Sequence, residues 1–249
     1  MYDPPVYVWA ITILGVAAIP ALTCVVLYLG AQRAGLARAR AALLAGAAAV
    51  VLGGWTTASA IIAGDGGYHA KLGQRPPWLP ITIVAVLVAL LAASRIPLLA
   101  RALAAPDTAR RLMLPHAPRA AGLAFLIMMG LGHLPALFAL PAGLGDISVG
   151  VAAPFVARRL AQRTDRRGAL WFNRLGILDL VVALGLGALT GYQLLGAPSN
   201  DAIGELPLAL IPTAAVPLLI ALHVVSLRRL AATSQEHLKA TTVLGGAAA

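Results

Sequence analysis

Seven apolar stretches run along the chain, separated by short polar gaps, at Val6–Leu29, Ala41–Ala63, Leu79–Ser94, Ala120–Leu140, Leu144–Ala157, Ala169–Leu195 and Leu206–Leu227. A membrane-spanning helix needs about twenty residues, and most of these runs supply them. The third and fifth are shorter, so their ends are expected to reach into the flanking loops. Lipid cannot satisfy an open sheet edge, which leaves helix as the state for each run. The pattern predicts an all-α, polytopic bundle of seven transmembrane helices spanning residues 1–229, followed by a flexible cytoplasmic tail at 230–249.

The polar gaps are not alike, and the difference orients the bundle. Of the 19 Lys and Arg residues, 17 lie in or beside every second gap or the tail. Arg33, Arg38 and Arg40 mark the first gap, and Arg95, Arg101, Arg110, Arg111 and Arg119 the third. Arg158, Arg159, Arg163, Arg166 and Arg167 mark the fifth, Arg174 lies just inside the span that follows, and Arg228, Arg229 and Lys239 occupy the tail. Only Lys71 and Arg75 fall elsewhere. Basic residues stay on the cytoplasmic side, so the N-terminus is expected outside and the C-terminus inside. Tyr2, Tyr7, Trp9, Tyr68, Trp78 and Tyr192 would then mark the outer interface, and Tyr28 and Trp171 the inner one. Trp55 lies deeper and is expected to pack between helices.

Composition sharpens this. The chain is 60% hydrophobic and 11% charged, which a soluble domain could not bury. Its net charge of +10 marks the ends of spans rather than a basic stripe on a soluble fold, so the expected partner is a bilayer with anionic headgroups and not nucleic acid. Arg-rich, Ala-rich usage suggests a bacterium with a GC-rich genome, and the expected location of the bundle is the bacterial cytoplasmic (inner) membrane. A single cysteine, Cys24, excludes an internal disulfide, and no Cys/His cluster points to a structural metal. Asp3 and the length of the first run argue against a cleaved signal peptide. Dense small residues, Ala45–Ala49 with Gly53 and Gly54, and Gly185, Gly187 and Gly191, suit close packing inside the bundle or a face for a homodimer or larger membrane complex.

Ionisable groups inside a span are costly and mark function. His133, Asp146, Asp179 and His223 qualify. Counting about 1.5 Å per residue from the nearest arginine, His133 lies ~21 Å above Arg119, and Asp146 and Asp179 each ~18 Å above Arg158 and Arg167. These three are expected at one level, sharing protons or charge. A Pro141–Gly145 turn would make the fourth and fifth spans antiparallel neighbours, with Asp146 as an alternative N-terminal cap. Asn173, Arg174, Ser226 and His223 form a second, inner polar layer, whereas His69, His116 and His237 are expected in water.

Several activities lose support. A retinal pigment needs a lysine in the last span, and the only lysines are Lys71 and Lys239. A bis-histidine haem on His133 and His223 would bridge ~13 Å of depth. No nucleophile-elbow, zinc-protease, phosphate-loop or dinucleotide motif is present, and the two aspartates do not sit in an aspartyl membrane protease pattern. The run Phe138-Ala139-Leu140-Pro141-Ala142-Gly143-Leu144-Gly145-Asp146 resembles an FAxPAGxGD-like turn carried by uncharacterised bacterial, often actinobacterial, multi-pass membrane proteins. That resemblance implies a seven-span bundle and no activity. The expected function is handling of a proton, ion or small solute by a polar core of His133, Asp146, Asp179, Asn173, Arg174 and His223, with no cofactor. The alternatives are a non-transporting accessory or scaffold subunit, and a metal- or haem-binding redox protein.

Overall fold

A computed structural model describes residues 3–69, 77–105, 107–162, 166–194 and 200–246, with side chains to residue 232. Tyr2, Lys71, Arg75, Arg163 and Leu195 lie outside the described residues, as do the side chains of His237 and Lys239. The described chain is helical. In order come α1 (Val6–Arg33), α2 (Arg38–Gly64), α3 (Trp78–Ala93), α4 (Pro97–Ala104), α5 (Thr108–Arg111), a 3₁₀ segment (Leu114–Gly122), α6 (Leu123–Gly130), α7 (Ala136–Ala161) and α8 (Arg166–Gly191). A 3₁₀ turn (Asp201–Gly204), a π segment (Ile211–Ala215) and α9 (Val216–Gly246) complete it. Six segments are long and apolar enough to cross a membrane, and the pair α3 and α4, bent by 78°, makes up to seven.

The surface is apolar in the manner of a membrane protein. Leu43, Val50 and Val51 on α2 are 74%, 75% and 67% exposed, and exposed Leu, Ile and Val side chains continue over α1, α3, α7 and α8. Inside, α1, α8 and α9 pack through Val16, Ile19, Leu180, Leu219 and Leu222. A second cluster, with Val8, Phe125, Met128, Phe138 and Leu208, fills the end near the start of α1 and the end of α6. A third, with Met113, Ala153, Ala157, Phe172 and Leu230, fills the arginine-rich end. There Arg166 donates to the Leu230 carbonyl at 2.6 Å, and Arg33 pairs with Asp107 at 2.5 Å.

The fourth and fifth spans are not divided where the sequence suggested. The FAxPAGxGD run is continuous helix inside α7, and the chain turns instead through Leu131–Pro135. Gly132 adopts a positive φ of 81° there, and Pro135, extended at φ −70° and ψ 139°, caps α7. Asp146 is therefore mid-helix rather than an N-terminal cap. The span before the turn begins far upstream: Thr108–Gly130 is one 23-residue segment, with Arg119 near its middle instead of at the interface. α9 runs as helix through Arg229 to Gly246.

Prolines explain the irregular helices. Pro115 and Pro118 remove two amide donors from Leu114–Gly122, which adopts the tighter 3₁₀ form. Pro217 likewise cannot donate to the carbonyl of Thr213, and the Trp55 indole takes that carbonyl at 2.9 Å. Ser59 completes the α2 contact with the Thr213 hydroxyl at 2.6 Å. Trp55 thus packs between helices as its depth suggested.

Small residues bring α7 against the 3₁₀ segment. A Cβ on Gly150 would lie 2.5 Å from the Ala120 amide nitrogen and 3.0 Å from the Ala117 carbonyl. By contrast, Gly46, Gly53 and Gly54 of α2 face open space, so packing inside the bundle does not account for them. Gly150→Leu is expected to destabilise the protein by about 1–3 kcal/mol through overpacking, while Gly46→Leu leaves stability unchanged. Thermal unfolding in one neutral detergent compares the two.

Candidate functional site

The 3₁₀ geometry places the central residues. With three residues per turn, positions three apart stack on one face. His116, Arg119 and Gly122 share this spacing, and all are buried. An α-helix would rotate them progressively off one line. The segment therefore presents a histidine, a guanidinium and a gap as a single column facing α7, α8 and α9.

Arg119 is the hub of that column, its side chain 1% exposed. Its Nε donates to Asp146 Oδ1 at 2.7 Å, and its Nη2 donates to Asp179 Oδ2 in a shorter contact. Its Nη1 lies 3.4 Å from His223 Nε2. The other His223 nitrogen, Nδ1, lies 3.0 Å from Asn173 Oδ1, and Asn173 Nδ2 donates to the Ala169 carbonyl at 2.7 Å. His116 stacks on His223 with ring centroids 3.8 Å apart and planes 22° apart, and Phe172 meets the edge of His116 at 5.7 Å. Both His116 nitrogens and the Ser226 hydroxyl are buried and have no hydrogen-bond partner among the described residues.

Three glycines make room for this network. A Cβ on Gly122 would strike Asp146, one on Gly145 the Asp179 carboxylate, and one on Gly176 the His223 ring. Each charged or ring group thus lies against bare backbone of the neighbouring helix. With both carboxylates ionised and both histidines neutral, one guanidinium faces two negative charges, leaving a formal excess of one. Arg119, Asp146 and Asp179 lie near the middle of their apolar segments, and charges within such segments are costly unless paired.

The structure unites some of the sequence-predicted residues and separates others. Asp146 and Asp179 meet through Arg119, and His223 and Asn173 join the same network rather than a separate inner layer. His133 lies in the turn between α6 and α7, about 15 Å of helix rise from Asp146. Arg174 is exposed, with its guanidinium 5.8 Å from the Trp171 ring centroid, and takes no part in the hydrogen bonds of the Arg119 network. His116, expected in water, is fully buried. His69 pairs with Glu205 at 3.2 Å. The residue missed outright was Arg119, and its signal was present. The fifth span as first drawn was too short, whereas a turn at Gly130–Pro135 gives two segments of full length.

A cleft of about 350 Å³ reaches Asp146 from the opposite end of the bundle to the arginines. Ile83 and Val84 of α3 form one wall and Leu184 and Ala188 of α8 the other, and Phe125 and Phe138 also line it. Asp146 also borders a small cavity of about 30 Å³ shared with Thr12 and Arg119. Among the described residues, no group of three or more His, Cys, Asp or Glu side chains is placed to hold a metal ion.

Fold and site together define a polytopic helical membrane protein built around a buried ion-pair network. The chain belongs to the family described as a domain of unknown function (DUF8737), which matches residues 76–231, more than half of its length. The matched segment contains Arg119, Asp146, Asn173, Asp179 and His223 but neither α1 nor α2. No curated protein and no solved structure matches the chain.

Removing one partner of a buried ion pair typically costs about 3–5 kcal/mol, so Arg119→Met should sharply lower the melting temperature. Arg119→Lys should restore little, since an ammonium cannot present the branched donors that reach both carboxylates. His116→Phe keeps the ring stack and removes two unsatisfied nitrogens, so it should be neutral or stabilising. A melting temperature near wild type for Arg119→Met would contradict the assigned network.

Proposed function

We propose that this protein handles a proton, ion or small solute through the Arg119–Asp146–Asp179 station at mid-membrane. The observation that carries the reading is the charge count: two carboxylates share one guanidinium, and one of them, Asp146, also borders the cleft. A proton or cation arriving there neutralises the excess negative charge and loosens the hold of Arg119 on Asp146. Arg119 can then act as an internal counter-ion that substitutes for the solute when it leaves. His223 and Asn173 extend the polar path toward the arginine-rich end. His116 and Ser226 add buried hydrogen-bonding groups on the same side.

The bundle is proposed to sit in a bacterial inner membrane as seven spans, with α3 and α4 as one broken span. The N-terminus is outside, and the arginine-rich end faces the cytoplasm. The basic ends of α1, α7 and α8, and Arg228 and Arg229 of α9, support this orientation under the positive-inside rule. Self-association through α2 is part of the proposal, since the apolar window of that helix is only 6% buried. Single cysteines at Gly64 and Arg159 should label from opposite sides of intact cells and inverted vesicles; labelling from one side would overturn the orientation.

A scaffold role is the second reading, favoured because Arg119 already binds both carboxylates and ties the 3₁₀ segment to α7 and α8. Flux separates the two. In liposomes, Asp146→Asn and Asp179→Asn should each reduce proton or solute flux at least tenfold while the protein remains folded. Full flux in both variants removes the transport reading, and a loss of stability without a flux defect supports the scaffold.

A further inference from the structure

We infer that the cleft between α3 and α8 binds a lipophilic cation, an apolar body carrying an ammonium-type charge, with Asp146 as its counter-ion. The inference rests on the solute-handling reading and specifies its substrate class. Apolar side chains and helix backbone line most of the cleft, and its volume of about 350 Å³ falls in the range of sites for drug-sized ligands. Among the described lining residues the only charged side chains are Asp146 at the deep end and Asp201 near the mouth, and both are acidic. Aromatic side chains line the cleft as well: Phe125 and Phe138, edge to face at 5.4 Å, and Tyr192. Carboxylates and ring faces both attract a desolvated cation and disfavour an anion.

A second observation points to a ligand. Asn200 lines the cleft and is 3% exposed, yet among the described residues its Oδ1 has no hydrogen-bond partner. A buried acceptor without a donor is costly. A ligand bearing an N–H or O–H group on its apolar body, at the level of Asp201 near the mouth, would satisfy it. An alkyl chain alone would not. Depth also matters. Asp146 receives Arg119 through Oδ1 and also lines the cleft, so a cation that reaches it there competes with the guanidinium of Arg119 for one group.

The test uses the full-length protein in neutral maltoside detergent with two probes of one shape and opposite charge, tetraphenylphosphonium and tetraphenylborate. Titration calorimetry should show saturable binding of the phosphonium, at least tenfold tighter than of the borate. Gly185 lines the cleft, and a Cβ there meets no heavy atom within 4 Å. Gly185→Phe should therefore fill the space and weaken phosphonium binding at least tenfold without lowering the melting temperature. Asp146→Asn should weaken it as strongly. Competition by phosphatidylethanolamine but not phosphatidylglycerol would assign the site to a lipid amine, and its absence to a free cation. Equal binding of the two probes, no saturable binding, or binding unaffected by Gly185→Phe would overturn the inference. Phosphonium binding without flux would overturn only the transport reading, and proton flux without phosphonium binding only the cation site.

Discussion

A guanidinium placed in the middle of a membrane bundle must find negative charge and hydrogen-bond acceptors within the protein, and Arg119 finds both in Asp146 and Asp179. Much of the local architecture answers to that requirement. Three helices must bring their backbones close enough for the short aspartates and His223 to meet one arginine, which explains glycine at 122, 145 and 176. The arginine must share a face with His116 and Gly122, which the 3₁₀ segment achieves and a regular α-helix does not. The prolines that impose this geometry are thus part of the site, although neither Pro115 nor Pro118 makes a charged contact.

The same network gives the bundle its polarity along the axis. On one side of Arg119 the groups are paired or stacked rings: His223, Asn173, His116 and Phe172. On the other side Asp146 opens onto an apolar cleft. A carboxylate that belongs at once to a buried ion pair and to a cleft can exchange partners without movement of a whole helix. This links the proposed solute handling to the inferred preference for cations, since both depend on the second partner of Asp146. It also explains why a scaffold reading competes: the resting network already satisfies the arginine.

The sequence made the helical class and most helix positions legible. The third apolar run matches α3 to within a residue at each end, and the second and sixth fall within α2 and close to α8. Apolar run length reports whether a segment can lie in lipid, and that signal is strong. The turn between the fourth and fifth spans was harder. Gly130-Leu131-Gly132-His133-Leu134-Pro135 and Pro141-Ala142-Gly143-Leu144-Gly145 both carry turn chemistry, and inside a bundle proline and glycine serve packing as readily as turning. Arg119 was misplaced for a related reason. An arginine beside an apolar run is ordinarily an interface marker, and only partners distant in sequence reveal that this one is buried. Once it served as the depth reference, His133 was raised to the level of the aspartates and His116 assigned to water. Asp146 and Asp179 remained legible because a lone carboxylate within an apolar helix requires a partner whatever the topology.

The central claim is that Arg119 and Asp179, sixty residues apart in sequence, form one interaction inside the bundle. A double-mutant cycle with Arg119→Met and Asp179→Asn, read as unfolding free energies in a single detergent, measures that interaction directly. The account predicts that the double variant is more stable than the sum of the single losses implies, by at least about 1 kcal/mol, because Arg119→Met leaves the Asp179 carboxylate without its guanidinium, a cost that Asp179→Asn removes. Strictly additive losses would show that the two side chains do not meet, and the site built on them would fall.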